Sequence, residues 1–450
     1  MLSRKKLGFG ITGFLLLAVI YYFTTGSAQL TEEMKIRVNT ELTMIQQNGF
    51  AIQEREVKEK EEHFVLSFDD PVKITEFFKQ QGNEISLEEV KTLTGFKIGV
   101  DLQYLHNTYS ALSVDMYPLN LPPALGKDQD LDEEDKAIIE QLNNMLKRKA
   151  LLVHIDFNKL LSSFKGHIKD IHETFKAETA IKIDLEGATF DGTIQNDRLY
   201  TLVQNIKNIT VSSGDSLNIV LKGLKSNYQL TGNSIYDSSY NYTVDTIEVS
   251  GKEASDTFSV SINNIKGDNK TSSKNNLLSN KITLHVSDIE IIDNDQKTKL
   301  IDNTFSFNIE NLDINILKQL ETVNVDDDAE INRLVQALIS KGITMEIPSF
   351  QIKKLGYKGK NIDGFSLTSS FQIDRSADLT AIQSNPFSTL SMINTKTKII
   401  LSDALFTLIA QQPKAMMLAM IIQPKVINGK KVYEIELKNG KLTVNGKSML

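Results

Sequence analysis

Ile262-Asn-Asn-Ile-Lys266 is one copy of a five-residue pattern on which the predicted architecture depends. Its first residue is apolar, its third is small or polar and suits a turn, its fourth is Ile or Leu, and its fifth is charged. Successive copies begin 18 to 24 residues apart, which indicates a repeated structural unit. The five further copies are Val203-Gln-Asn-Ile-Lys207, Leu221-Lys-Gly-Leu-Lys225, Val244-Asp-Thr-Ile-Glu248, Val286-Ser-Asp-Ile-Glu290 and Ile309-Glu-Asn-Leu-Asp313.

The residues around each copy alternate between apolar and polar, which is typical of strands with one buried face. The spacing between successive copies is here called a step. Half of one step would form a strand that, with its turn, is roughly 30 Å long. We therefore predict two strands per step and a long antiparallel meander over residues 151–325. The alternative is that so short a pattern recurs by chance in any alternating β sequence.

The regions on either side of the meander mix helices with strands. In residues 29–150, the strict alternation from Phe96 to Tyr104 predicts a strand, and the acidic cluster from Asp132 to Asp135 predicts the start of a helix. In residues 326–450, Asn439-Gly440 between two alternating segments predicts a terminal hairpin.

The N-terminus predicts a membrane anchor. Arg4, Lys5 and Lys6 lie in a basic tail, residues 1–6, and Leu7–Phe23 contains no charge. The uncharged stretch continues to Ala28, and as a helix residues 7–28 would span ~33 Å, enough to cross a ~30 Å hydrocarbon core. The basic flank favours a cytoplasmic N-terminus, which places the rest of the chain across the membrane. The alternative is a signal peptide that is cleaved after Ala28.

The predicted fold class is therefore α+β and predominantly β. It consists of long antiparallel meander sheets, a few flanking helices and one N-terminal transmembrane helix.

The composition excludes several function classes. The chain contains no Cys, which removes disulfide frameworks, Cys-based zinc sites and thiol nucleophiles. The formal net charge is −7, so we predict no nucleic-acid partner.

The motifs that would indicate an enzyme are weak. His167 and His172 are the only closely spaced histidines, and their separation of five places them on different faces of a helix. Ser162-Ser-Phe-Lys165 matches a Ser-x-x-Lys motif without its Lys-Thr-Gly companion, and Asp293-Asn-Asp295 lacks the Gly and Glu of a calcium loop. We predict no catalytic, metal-binding or cofactor-binding residues, and a protein that is not an enzyme.

A methionine-rich run follows Pro413. Residues 404–422 are apolar and suit a helix, but Gln411 to Lys414 interrupt it, which favours a packed helix pair or a lid. Methionine side chains adapt to irregular ligands such as acyl chains, although most such runs fill core gaps. The residues that we predict to contact lipid are Met416, Met417, Met420 and Ile421.

The ending Tyr433-Glu-Ile-Glu-Leu-Lys-Asn-Gly-Lys-Leu-Thr-Val-Asn-Gly-Lys-Ser-Met449 resembles the C-terminus of the YdgA-like bacterial proteins, a family of unknown function. A short basic N-terminus, one apolar anchor and a long β-rich body resemble that family more loosely. The resemblance implies an inner-membrane, single-pass protein whose bulk faces the periplasm of a Gram-negative bacterium. It supplies no catalytic residues.

Three hypotheses for the function follow, and the third is an enzyme of unrecognised type. The first is a non-catalytic envelope protein with a binding, scaffold or assembly role and with envelope proteins as partners. The second is a phospholipid-binding or lipid-transfer groove that resembles AsmA- and TamB-like conduits. The sequence leaves open whether the apolar sheet face is an open groove or a covered core. A continuous uncovered apolar face longer than ~20 Å would favour the second hypothesis, since monomers rarely expose large apolar patches without use.

Overall fold

The structure is a computed structural model that divides into two compact units, Met1–Asn227 and Tyr228–Leu450. The residues that it describes are 31–80, 85–105, 110–123, 133–176, 179–195, 198–214, 216–234, 236–253, 256–294, 296–323, 327–357, 359–378, 389–411 and 422–449. The predicted anchor, residues 7–28, lies outside them and stays a prediction. Within these ranges, no helix is both long and apolar enough to cross a membrane.

The predicted strand-rich α+β class is confirmed, because strands outnumber helices throughout the described residues. The helices are α1 Thr31–Gln47, α2 Pro71–Gln80, α3 Leu87–Thr92, α4 Glu133–Lys147, α5 Ile314–Thr322, α6 Asp328–Ile339, α7 Thr389–Met392 and α8 Asp403–Ala410. The strands of the first unit are β1 Phe50–Val57, β2 Glu61–Phe68, β3 Lys97–Tyr104, β4 Ser110–Pro118, β5 Val153–Asn158, β6 Ser163–Ile168, β7 Ile171–Phe175, β8 Ile181–Glu186, β9 Ala188–Gln195 and β10 Arg198–Ser213.

The unit boundary falls within β11, Leu217–Leu230. The remaining strands are β12 Ser238–Glu253, β13 Asp256–Lys274, β14 Leu277–Asp293, β15 Gln296–Asp313, β16 Thr344–Tyr357, β17 Lys360–Ile373, β18 Ile393–Ser402, β19 Lys425–Ile427, β20 Lys430–Lys438, β21 Lys441–Val444 and β22 Lys447–Ser448.

The first unit is an antiparallel meander with a closed core. Strands β1 to β6 pair in chain order, β6 pairs with β9, and β10 pairs with both β9 and β8. One face of this sheet packs against α1 and α2. The side chains between the two layers are almost inaccessible to solvent, among them Phe64, Ile98, Val114, Ile155 and Phe157. This packing accounts for the alternation that predicted the strand from Phe96 to Tyr104.

The second unit is a meander of longer strands. Strands β12 to β18 pair in chain order, β18 pairs with β20, and β20 also pairs with β19 and β21. β12 to β15 contain 16 to 19 residues each, which corresponds to about 50–60 Å. The helix α6 packs over one end of this sheet through Ile339, beside Ile309 and Met345.

The prediction of two strands per step of the pattern was wrong, because each step contains one strand. Five of the six copies lie within their strands, as Ile262–Lys266 does in β13, and the sixth, Ile309–Asp313, ends β15. The turns on either side of β14 are very short and contain asparagines in left-handed conformation, Asn275, Asn276 and Asn294. One long strand with its short turn therefore accounts for the whole spacing between two copies of the pattern, which we predicted to contain two shorter strands.

In half of the copies, the third position of the pattern has a conformational role. Gly223, Asn264 and Asn311 occupy that position in three copies, with φ of +65°, +51° and +69°. Only glycine, and to a lesser extent Asn and Asp, tolerates this left-handed region, which explains the residue type. A left-handed residue inside a strand interrupts the alternation of side chains between the two faces.

The terminal hairpin is confirmed. β20 and β21 pair antiparallel around Asn439 and Gly440, whose φ values are +50° and +77°. Two positive φ values in a two-residue turn match the right-handed twist of the flanking strands. Asn445 and Gly446 repeat the arrangement between β21 and β22.

Candidate functional site

The second unit places an apolar side chain, or a glycine, at the same level of eight neighbouring strands. Directly paired residues share one face of a sheet, so these residues form one continuous row, here called the first row. At the usual strand spacing, eight strands extend about 34 Å. The first row is Tyr242, Gly267, Leu284, Phe305, Phe350, Leu367, Ile399 and Tyr433.

Three further rows continue this surface along the strands. The second row is Val244, Ile265, Val286, Asn303, Ile352, Phe365 and Leu401. The third row is Ile247, Ile262, Ile289, Leu300, Leu355 and Ile362. The fourth row is Val249, Val260, Ile291, Thr298 and Tyr357. From Leu284 to Ile291 the four rows span about 23 Å along β14.

The left-handed residues explain how four apolar rows share one face. The second and third rows are three residues apart on each strand, and in an uninterrupted strand such residues point to opposite faces. Between these rows lie Asn264 on β13 and Asp302 on β15, with φ of +51° and +57°. Each interrupts the alternation of its strand at this level. We therefore infer that the rows form one surface, here called the apolar face.

The middle of the first row is open to solvent, whereas Val244, Ile265 and Val286 of the second row are buried. Phe350 is 38% exposed, whereas Phe157 in the core of the first unit is 0% exposed. The ring of Phe350 makes edge-to-face contacts with Phe305 and Phe365, at centroid distances of 6.0 and 5.1 Å. Ile282 and Ile291 on β14 are also exposed. The rings of Phe305 and Phe365 are half-buried and support that of Phe350, which remains exposed.

One edge of the first row is built by a tyrosine over a glycine. A Cβ atom at Gly267 would lie only 2.2 Å from Cε1 of Tyr242, so the ring of Tyr242 occupies the space that a side chain would take. Tyr240 lies beside it, with a centroid distance of 5.9 Å. The glycine thus lets an aromatic ring lie flat on the sheet at this edge.

The other face of the same strands is polar. Lys299 forms ion pairs with Asp288 and Glu290, with Nζ to carboxylate oxygen distances of 3.2 and 3.8 Å. Asn263 donates to Asp288, and Thr246 donates to Asn263. The sheet is therefore amphipathic, with charges satisfied on one side and apolar rings on the other.

The predicted lipid-contacting residues, Met416, Met417, Met420 and Ile421, lie outside the described residues. The structure describes α8 up to Ala410 and then Gln411, so the prediction of a helix pair or lid after it is also not tested. The apolar face consists of other residues than the methionine run, and these residues come from separate parts of the chain. Phe305 and Phe350 are far apart in the chain, and only the register of β15 with β16 brings them together.

The histidines mostly lie next to aspartates in the first unit. His63, His154 and His172 place Nδ1 at 2.6, 2.6 and 2.9 Å from an aspartate oxygen. Within the described part of the chain, no group of three or more His, Asp or Glu side chains is arranged to hold a metal ion.

These features define a class of α+β, predominantly β protein in which an antiparallel meander presents an open apolar face. Residues 139–450 match a family model described as a bacterial protein of unknown function (DUF945), and the chain belongs to that family. The matched region includes the whole apolar face. No curated protein and no solved structure matches the chain. The narrower resemblance of its tail to the YdgA-like proteins stays a prediction.

Proposed function

We propose that this chain is a non-catalytic lipid-binding protein of the bacterial envelope and that its apolar face holds acyl chains. The observation that supports this most is Phe350, which is exposed at the centre of a row that crosses eight strands. The first row, whose side chains are half-buried or exposed, extends about 34 Å across the sheet and so exceeds the ~20 Å length that would favour a lipid surface.

The shape and chemistry of the apolar face favour a long apolar ligand. Compact ligands bind in concave pockets with a few convergent polar groups. The apolar face is instead extended, and Asn303 and Thr298 are the only residues of its four rows with polar side chains other than the tyrosines. Asn303 donates its amide hydrogens to the carbonyl oxygens of Val286 and Leu300, so its Nδ2 is already engaged. An acyl chain needs no polar partner along its length.

The predicted N-terminal anchor would place lipid binding at the inner membrane. An anchor at Leu7–Phe23 would hold the chain at the inner membrane, with its bulk in the periplasm, next to a supply of phospholipid. A binding or scaffold role would use the same surface to contact another envelope protein. The experiment below distinguishes phospholipid from a partner protein as the ligand of the apolar face.

The proposal is tested by two neighbouring substitutions on β16. Phe350→Asp places a charge in the middle of the first row, whereas Gln351→Asp places the same charge on the polar face beside Thr304. Both positions are partly exposed, so both variants should fold with melting temperatures close to that of the wild type. An unpaired charge against an acyl chain is costly, so Phe350→Asp should lower co-purifying phospholipid on the order of tenfold.

The readout is native mass spectrometry with lipid extraction on protein purified from membranes in mild detergent. Wild-type and Gln351→Asp protein should retain phospholipid to a similar degree. Wild-type protein without lipid, or equal lipid in the two variants, would contradict the proposal. A partner protein that is lost only from Phe350→Asp, with no lipid in any sample, would favour the scaffold role.

A further inference from the structure

A row of titratable side chains crosses five strands of the first unit. Direct pairing places them at one level on the face opposite the closed core, because they alternate with buried residues such as Val100, Val114 and Ile155. The row is His63 on β2, Asp101 on β3, Asp115 on β4, His154 on β5 and His167 on β6. It is here called the His–Asp row.

The centre of the His–Asp row is a pair of like charges. Asp101 and Asp115 are directly opposite each other on β3 and β4, and like charges in such positions destabilise a sheet. Each aspartate has cationic or hydrogen-bonding partners on its outer side. Nζ of Lys149 lies 3.0 Å from Oδ2 of Asp101, and Nδ1 of His63 lies 2.6 Å from Oδ1 of Asp101.

Asp115 depends on a partner that titrates. Nδ1 of His154 lies 2.6 Å from Oδ1 of Asp115, and Nε2 of His154 lies 3.4 Å from Oδ2 of Asp156. On the far side, the ring of His167 lies against that of His154, with a centroid distance of 5.0 Å. The His154 side chain is 28% exposed, so protons reach it from solvent.

We propose that the His–Asp row makes the stability of the first unit depend on pH, with His154 as the group that responds. Protonated His154 joins β4 to β5 by pairing with Asp115 and Asp156 at once. When His154 loses its proton, it offers a single hydrogen to two carboxylates, and the repulsion between Asp101 and Asp115 is no longer balanced on the β4 side. Lys149 keeps its charge throughout this range and continues to hold Asp101.

The electrostatics of the site agree with this assignment. Burial lowers the pKa of His154, but the hydrogen bond to Asp115 and the charges of Asp115 and Asp156 outweigh it and hold the pKa above its ordinary value of 6.5. Burial raises the pKa of Asp101, but the hydrogen bonds from His63 and Lys149 hold it below its ordinary value. A raised histidine pKa stabilises the fold fully below about pH 6.5, and that stabilisation is lost as the pH rises through the folded-state pKa.

The first test is thermal unfolding of the full chain between pH 6 and pH 8.5. The wild-type protein should lose about 2–4 °C in melting temperature of the first unit across this interval, and His154→Gln should lose less. An equal loss in both proteins would overturn the proposal.

The second test does not depend on the stability of a variant. The imidazole of His154, followed by NMR in the wild-type chain, should titrate above pH 6.5. Asp115→Asn keeps a side chain of the same shape and removes its charge, so it should lower the pH at which His154 titrates. Titration of His154 at or below its ordinary value, or an unchanged value in Asp115→Asn, would also overturn the proposal.

Discussion

Asn264 lies inside a 19-residue strand with a φ of +51°, a conformation that costs most residues ~1–2 kcal/mol. Its side chain is exposed, so packing does not select the residue type. The backbone conformation does, because it interrupts the alternation of β13 and keeps Ile262 and Ile265 on one face. The backbone conformation of Asn264 therefore influences which side chains lie on the apolar face.

This conformational role can be tested by substitution at Asn264. Asn264→Gly should change the free energy of unfolding by less than ~0.5 kcal/mol, since glycine readily adopts positive φ. Asn264→Val should cost about 1–2 kcal/mol, because a β-branched side chain is strained in this region. Chemical denaturation measures both.

The matched control is Lys266→Val, two residues further along β13, where the side chain is also exposed. Valine suits an extended strand, so this change should leave stability within ~0.5 kcal/mol. Equal costs for valine at the two positions would show that the left-handed conformation at Asn264 has no energetic consequence.

The pattern that contains Asn264 was visible in the sequence, but its meaning was only partly predictable. The apolar and polar positions correctly predicted strands, because one face of each must avoid water. They did not predict that the turn-type residue lies in mid-strand, since Asn and Gly are equally common in turns between strands. Phe350 was not identified for a related reason. Its neighbours Phe305 and Phe365 reach it only through strand register, which one sequence does not contain.

At the scale of elements, Asp313 connects the end of β15 to the start of α5. Its carboxylate accepts hydrogen bonds from the backbone N–H groups of Asn315 and Ile316, and from Nδ2 of Asn276 at 2.9 Å. Nζ of Lys341 lies 3.2 Å away. Burial raises the pKa of Asp313, but Lys341 and the two backbone N–H groups outweigh it and hold the pKa below its ordinary value.

These contacts predict two different effects at Asp313. Asp313→Ala removes the N-cap of α5 and should cost about 1–2 kcal/mol in the free energy of unfolding. Asp313→Asn keeps the cap but removes the charge that Lys341 faces. Because the folded-state pKa is lowered, the stabilisation from the charge is present above about pH 4 and is lost as the pH falls through the folded-state pKa.

The measurement is the pH dependence of unfolding between pH 2 and pH 6. Wild-type protein should lose more stability toward low pH than Asp313→Asn does. Parallel curves for the two proteins would show that the carboxylate charge contributes nothing at this junction.

Short elements with strong local signals were predicted well from the sequence. Asp70 before Pro71 is such a local signal for the start of a helix, and in the structure its Oδ1 accepts from the backbone N–H groups of Val72 and Lys73 in the first turn of α2. The Asn439-Gly440 turn was equally local. The boundaries of the long strands could not be predicted from neighbouring residues, because strand length depends on pairing with residues far away in the chain.

At the scale of the whole molecule, the position of the protein relative to a membrane rests on residues 1–28. If Leu7–Phe23 is an anchor, a reporter that is active only in the periplasm should be active when fused after Leu450, and the protein should resist carbonate extraction. Replacing Arg4, Lys5 and Lys6 with glutamate should lower the activity of this reporter. An inactive reporter in the unmodified protein would contradict the predicted topology.

The same experiment separates an anchor from a cleaved signal. A mature N-terminus at Gln29, found by sequencing the purified protein, would show cleavage after Ala28 and replace the anchor. An intact N-terminus with carbonate resistance would support the anchor.

The two units differ in how far helices cover the apolar side of their sheets. In the first unit, α1 and α2 cover the apolar side, and Phe64 and Ile155 lie in a closed core. In the second unit, α6 packs at one end, around Ile309 and Met345, while Phe350 stays exposed. A closed core explains stability alone, whereas the exposed ring of Phe350 requires a further reason, and the acyl-chain binding that we propose would supply it.

The most direct test of that claim is photo-crosslinking in membranes with a benzophenone amino acid, placed at Phe350 in one protein and at Gln351 in another. The two positions are adjacent on β16 and face opposite sides of the sheet. After irradiation, mass spectrometry of the intact protein should show a phospholipid adduct for position 350 and little or none for position 351. Absence of an adduct at position 350, or equal adducts at both positions, would contradict lipid binding on the apolar face.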